Sequence, residues 1–232
     1  MKRVCSLAMI VTLLASSAQV FGQSAVFDFE GGTDQGWGTG FGNDGSASFA
    51  IENVGGSNRM KVPRTAFQSA GHEDGGGAST FFLAMAAAGA NESLYNISYD
   101  WYVDTSVNPA GWGNFLQIGT FVNAGSGYYQ QDFPGVKDVE LNGAQLASGG
   151  VFSGTITETF SAKGYNMPPN LTTVVPETFW RLGLILNGDG TGQNIHFDNI
   201  RVGPVVPEPA SLALAGLAAG VVAMTRRRRV VR

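Results

Sequence analysis

Tyr95-Asn96-Ile97-Ser98-Tyr99-Asp100-Trp101-Tyr102-Val103 alternates its side chains with a period of two. Ile97, Tyr99, Trp101 and Val103 fall on one face of an extended chain, with Asp100 and Tyr102 on the other. That period belongs to a half-buried strand. Phe179 to Leu186 repeats it with Trp180, Leu182, Leu184 and Leu186, and Phe115 to Val122 offers Leu116, Ile118 and Val122 as a core face. Val26–Glu30, Ser46–Ile51, Arg59–Val62, Ser79–Met85, Gly127–Phe133, Val151–Phe160 and Asn194–Val202 also read as strands. Clusters of Gly, Asn, Asp and Pro separate these runs, and Ala162–Pro176 forms a long connection with prolines at 168, 169 and 176. Helical periodicity is almost absent. The pattern predicts an all-β sandwich or barrel.

The last of these strands changes phase. Ile195 and Phe197 suit one face, Ile200 and Val202 the opposite one. A one-residue bulge near Asp198–Asn199 would bring both pairs inward and re-aim the Asp198 carboxylate.

The two ends of the chain have a different composition. Lys2 and Arg3 precede an apolar run from Leu7 to Leu14, and small residues follow at Ala15–Ala18 and at Val20–Gly22. This is a secretory signal peptide, residues 1–22, with cleavage after Gly22 or after Ala18. At the other end Val206-Pro207-Glu208-Pro209 leads into an uncharged span, Ala210–Thr225, and then Arg226, Arg227, Arg228 and Arg229. The span is short for a transmembrane helix, which needs about 20 residues. The arginines would hold its end on the cytoplasmic side.

Composition narrows the function classes. The only cysteine, Cys5, lies in the signal peptide. The mature chain therefore has no disulfides, no thiol catalysis and none of the usual structural zinc sites. Lys and Arg number 14 against 18 Asp and Glu. Lys2, Arg3, Arg226–Arg229 and Arg232 belong to the ends, so the body between them is markedly acidic. An acidic body without a basic patch argues against nucleic acid as a partner. It is compatible with divalent cations and neutral sugars.

The tail, with Pro207-Glu208-Pro209, the small-residue helix Leu212–Val222 and the arginine run, resembles the PEP-CTERM sorting segment of bacterial surface and exopolysaccharide-associated proteins. The resemblance implies a transient anchor cut by an exosortase-type membrane protease. The protein would then be secreted to the cell surface or extracellular matrix, and membrane-anchored before processing. Residues 23–203 would form the folded domain, and 204–232 the tail with a single transmembrane helix at 210–225.

A second resemblance covers most of Val26–Val202. Phe27-Asp28-Phe29-Glu30-Gly31-Gly32, with Gly36-Trp37, and His196-Phe197-Asp198-Asn199-Ile200-Arg201-Val202 are similar to the end strands of galactose-binding-like jelly rolls. That fold includes many carbohydrate-binding modules. Ser98–Val103 and Phe179–Leu184 resemble internal strands of the same group. The resemblance implies a jelly-roll β-sandwich and a structural calcium ion joining the first strand to the last. Carried over by motif, its ligands would be Glu30 and Asp198 with carbonyls of Gly31–Asp34. Otherwise these two acids only hydrogen-bond locally.

Aromatic side chains are the candidates for sugar stacking. Trp112 lies in the loop Pro109–Gly113, Tyr102 points opposite Trp101, and Tyr128 and Tyr129 follow Gly125–Gly127. Trp37, Trp101 and Trp180 are assigned to the core. His72 and His196 are the only histidines, and neither lies in an H-E-x-x-H pattern; no G-x-S-x-G elbow occurs. The expected function is non-catalytic polysaccharide binding. A structural or adhesive matrix protein without a small ligand is the alternative. A glycan-active hydrolase or lyase is a further one, since a glycosidase needs only two carboxylates.

Overall fold

The computed structural model describes residues 24–39, 50–64, 68–165 and 177–205. The signal peptide, the sorting residues Val206–Pro209 and Arg226–Arg229, and most of the 162–176 connection lie outside the described residues.

Twelve strands are described: β1 (Ala25–Phe27), β2 (Trp37–Thr39), β3 (Ala50–Val54), β4 (Ser57–Arg64), β5 (Gln68–Asp74), β6 (Tyr95–Asp104), β7 (Phe115–Ala124), β8 (Gly127–Gln130), β9 (Val139–Asn142), β10 (Val151–Thr159), β11 (Trp180–Gly188) and β12 (Gln193–Pro204). One longer helix, α1 (Thr80–Ala90), interrupts them. The strands form two antiparallel six-stranded sheets. The first has the order β10-β6-β12-β4-β3, with β1 on the Ile200–Val202 part of β12. The second has the order β2-β5-β11-β7-β8, with β9 beside the start of β7. This is the predicted all-β sandwich, of jelly-roll type.

The alternation read from sequence places the core. Ile97, Tyr99 and Val103 from β6 are fully buried, as are Ile195 and Phe197 from β12 and Met60 and Val62 from β4. Leu116, Ile118 and Val122 of β7 and Leu182, Leu184 and Leu186 of β11 face them from the other sheet. Trp101 stays half-buried, opposite Gly154 of the edge strand. A Cβ at Gly154 would come 3.0 Å from the Trp101 indole nitrogen.

The bulge in the last strand is present. Asp198 pairs with Asp100 and Arg201 with Ser98, so β12 gains one residue over β6 between them. Asn199 supplies the turn by taking a left-handed conformation, φ 49°, which Asn tolerates better than most residues. Ile195, Phe197, Ile200 and Val202 are all buried as a result.

The segment Ser79–Met85, expected as a strand, is instead the start of α1. Ser79 caps it, its side chain accepting from the Phe82 amide at 3.0 Å. Phe81, Ala84, Met85 and Ala88 are buried at helical spacing. The alanines of Ala84–Ala90 favour helix and outweigh the aromatic pair that suggested a strand. Phe81 then packs on Phe27 and on His72, with ring centroids 5.9 and 4.5 Å away.

One polar network is buried between β6 and the turn Phe160–Lys163. Lys163 Nζ donates to Asp138 Oδ2 at 2.8 Å, and both side chains are fully buried. Tyr99 donates its hydroxyl to the same oxygen at 2.6 Å, and Gln131 Nε2 donates to Oδ1 at 2.7 Å. Gln131 Oε1 in turn accepts from the Thr120 amide at 2.6 Å. The Asp138 carboxylate thus has a charged donor and two neutral ones, which a buried ion requires.

Candidate glycan-binding face

Opposite the core, the first sheet presents a polar outer face. β6 contributes Asn96, Ser98, Asp100, Tyr102 and Asp104 by alternation. In register beside them stand His196 and Asp198 of β12, and beside His196 stands Lys61 of β4; alternation puts Arg59 on the same face of β4 as Lys61. Glu52 of β3 lies opposite Arg59. On the other flank, β10 adds Ser153 opposite Tyr102 and Thr155 opposite Asp100.

Tyr102 is the pivot of this face. It borders a cavity of about 330 Å³ lined by Arg59, Asp100, Thr155, His196 and Asp198, among others. It also borders a second cavity of about 260 Å³ with Glu52, Lys61, Asp104, Trp112 and His196. The Arg59 guanidinium lies over the Tyr102 ring, 4.8 Å from its centroid, in cation–π contact. His196 meets the ring edge-on at 5.9 Å.

The polar groups are held in place. His196 Nε2 lies 2.7 Å from Glu52 Oε2, and Glu52 Oε1 accepts from Lys61 Nζ at 3.2 Å. Burial lowers the His196 pKa despite the opposing pull of Glu52. The hydrogen bond from His196 is the main cause that lowers the Glu52 pKa. Asp100 accepts from Thr155 Oγ1 at 2.5 Å and from Asn199 Nδ2 at 2.7 Å. Carboxylates, a guanidinium and hydroxyls around an aromatic ring can hydrogen-bond several sugar hydroxyls and stack on one pyranose face.

The aromatic candidates separate into two places. Tyr102 and Trp112 meet at the second cavity. Trp112 is not an exposed loop platform: it is only 2% exposed, and its indole N–H donates to the Val107 carbonyl at 2.8 Å. Its loop is pinned by Asp189, which accepts from the Asn114 amide at 2.7 Å and from its side chain at 2.8 Å. Trp112 is thus a fixed wall. Tyr128 and Tyr129 belong to β8 in the other sheet. Tyr129 is buried, while Tyr128 is 46% exposed and lies on Phe121 with centroids 5.2 Å apart. Arg59 and His196 were not singled out from sequence as ligand-binding residues. Their place depends on β4 pairing with β12, which no local pattern shows.

Glu30 and Asp198 are brought together. Ser57 Oγ lies 2.7 Å from Glu30 Oε1 and 2.8 Å from Asp198 Oδ2. The Glu30 carbonyl accepts from Asn58 Nδ2 at 3.0 Å, and Asp198 Oδ1 accepts the Asn199 amide at 2.7 Å. Burial, with the nearby Glu30 charge adding to it, raises the Asp198 pKa. Two carboxylates and a hydroxyl make an all-oxygen donor set, which suits a hard cation such as calcium. Among the described residues no three His, Cys, Asp or Glu side chains converge as a metal cluster. Further ligands would have to be carbonyls or water.

Comparison with known proteins supports the fold and the tail. The PEP-CTERM protein-sorting motif matches residues 205–229, so the chain carries the sorting signal of secreted or surface-sorted proteins. No curated protein matches the chain. Among solved structures, a non-crystalline-cellulose-specific carbohydrate-binding module, CBM28, aligns with TM-score 0.50 at 13% identity, covering 75% of this chain and 89% of that one. A family 11 carbohydrate-binding module from Clostridium thermocellum, solved with a β-1,3-1,4-mixed-linked tetrasaccharide, aligns with TM-score 0.45 at 14% identity, covering 79% and 96%. A xylan-binding domain of CBM 22 gives TM-score 0.44 at 14% identity, covering 79% and 95%. At 13% identity the likeness to CBM28 is one of fold.

Proposed function

We propose that the protein is a non-catalytic polysaccharide-binding module, exported and sorted to the cell surface or extracellular matrix by its C-terminal tail. The observation that carries the reading is the pair of cavities flanking Tyr102 on the outer face of the first sheet, both lined by His196. A linear glycan lies over Tyr102, with hydroxyls donating to Asp100 and accepting from Arg59. The jelly-roll fold shared with carbohydrate-binding modules supports the reading. Binding of the full-length protein to soluble and insoluble polysaccharides, with and without Tyr102→Ala, tests it. Retention that is unchanged in the variant, or absent for every polymer, overturns it.

A cation belongs to the same proposal. Glu30 and Asp198 would hold calcium between the first turn and the last strand, with Ser57 beside them. Its contribution would be structural, tying Glu30 to β12.

Asp100 and Asp198 face each other in register, and the Asp198 pKa is raised. That pair is the one observation favouring a glycan-active enzyme. Turnover of a polysaccharide that Asp100→Asn abolishes would establish it. The sorting motif supports an exosortase-type protease as a processing partner, with the tail as a membrane anchor until it is cut.

A further inference from the structure

The outer row of β6 continues past Asp100 through Ser98 and Asn96 to a third cavity. It measures about 280 Å³ and is lined by Asn96, Ser98, Thr157, Arg201, Gly203 and Pro204. Its chemistry differs from that of the two cavities around Tyr102. Those set carboxylates beside a cation, Glu52 and Asp104 with Lys61 in one and Asp100 and Asp198 with Arg59 in the other. Among the described residues no carboxylate lines the third, and Arg201 is its only charged residue.

Arg201 Nη2 donates to Ser24 Oγ at 3.3 Å. Among the described residues the guanidinium forms no ion pair. Gly203 keeps the space beside it open, since a Cβ there would come 2.7 Å from Ser24 Oγ and 3.1 Å from Arg201 Nε. A planar guanidinium flanked by two hydroxyls and an amide is rich in donors. Its natural ligand is a carboxylate, which it can take through two parallel hydrogen bonds.

The position matters as much as the chemistry. Arg201 pairs with Ser98, and His196 with Tyr102. Four residues of strand separate the two levels, about 13 Å. That is a short stretch of the same glycan.

We propose that the Arg201 pocket binds the carboxylate of a uronic-acid residue, so that the ligand is an acidic polysaccharide. The proposal rests on the polysaccharide-binding reading above. The cavities at the Tyr102 end each set two carboxylates against one cation, so a uronate carboxylate is taken best at Arg201. The acidic body does not forbid this. Repulsion beyond ~8 Å is largely screened at physiological ionic strength, while a contact pair is screened less.

The test uses the full-length protein with sodium hyaluronate and sodium polygalacturonate, each beside its carboxyl-reduced form. Wild type should bind the acidic form of at least one polymer about tenfold more tightly than its reduced form, the scale of a charge-assisted hydrogen bond. Arg201→Gln should bring the two forms to parity without changing affinity for the reduced one. Tyr102→Ala should weaken both forms. Parity in wild type, or a preference that survives Arg201→Gln, overturns the acidic-ligand proposal alone. Binding to neither form of either polymer also overturns it. Neutral glucans that bind and are lost with Tyr102→Ala would then still support the polysaccharide reading.

Discussion

Glu30 and Asp198 share one hydroxyl, with Ser57 Oγ 2.7 Å from the first carboxylate and 2.8 Å from the second. A serine has a single proton to donate. Two short contacts to two carboxylates therefore call for a proton on one acid or a cation beside both. The raised Asp198 pKa fits the first case when no cation is present. A carboxyl whose folded pKa is raised binds more protons folded than unfolded, so its contribution to stability falls as pH rises through that window. Bound calcium needs both groups ionised and reverses the trend. Calcium should therefore raise Tm relative to chelator, and more at pH 7 than at pH 4.5. Asp198→Asn should remove most of the calcium effect without lowering Tm in chelator. Calorimetry in the four conditions checks this; an equal Tm with calcium and chelator at pH 7 removes the site.

The Lys163–Asp138 pair should behave as a buried ion pair does when broken. Lys163→Met leaves the buried Asp138 side chain with Tyr99 and Gln131 as its partners among the described residues. The expected loss is about 3–5 kcal/mol, measured by urea unfolding. The double variant Lys163→Met with Asp138→Leu should not recover fully, because the Tyr99 hydroxyl and Gln131 amide then lose their acceptor.

Legibility from sequence followed the range of the interactions. The β12 bulge could be read because Ile195, Phe197, Ile200 and Val202 state both phases within one strand. The core faces of β6, β7 and β11 were legible for the same reason. α1 was misread because Ser79–Met85 is too short to separate an aromatic-rich strand from a helix start. Asp138 and Lys163 look like ordinary surface charges until Tyr99, on a distant strand, supplies the third partner. The Tyr102 side chain was placed correctly on the outer face, but Arg59 reaches it only through the pairing of β4 with β12 and β12 with β6. No periodicity records strand order.

Acid should destabilise the fold through its histidines. Burial lowers the pKa of His72, which sits against Phe27 and Phe81 at centroid distances of 4.6 and 4.5 Å. Burial likewise lowers that of His196. A base with a depressed folded pKa binds fewer protons folded than unfolded. Stability is then intact above about pH 6.5 and declines as pH falls from there through the folded pKa values. Tm should drop between pH 7.5 and 5, and His72→Phe should make that drop smaller. A His72→Phe profile parallel to wild type would contradict the assignment.

The tail makes a separate, cellular prediction. If an exosortase-type protease reads Pro207-Glu208-Pro209, Glu208→Ala should leave the uncut chain in the membrane fraction, longer than the secreted form by the tail. Immunoblots of membrane and medium distinguish the two. Unaltered release of a shortened chain would mean that the motif is not what the protease reads.

Tyr102 and Tyr128, on opposite sheets, offer an internal control on the binding face. Tyr102 borders both cavities, whereas Tyr128 belongs to the other sheet and covers Phe121. Tyr102→Ala should weaken glycan affinity about tenfold or more, ~1.4 kcal/mol, and Tyr128→Ala should leave it unchanged. Arg59 discriminates further. Its guanidinium stacks on Tyr102 and forms no ion pair among the described residues. Lysine keeps the charge but loses the planar donor set. Arg59→Lys should therefore also weaken binding. Isothermal titration of the three variants against one bound polysaccharide gives the comparison. Loss of affinity in Tyr128→Ala, with Tyr102→Ala and Arg59→Lys unaffected, would move the site to the second sheet.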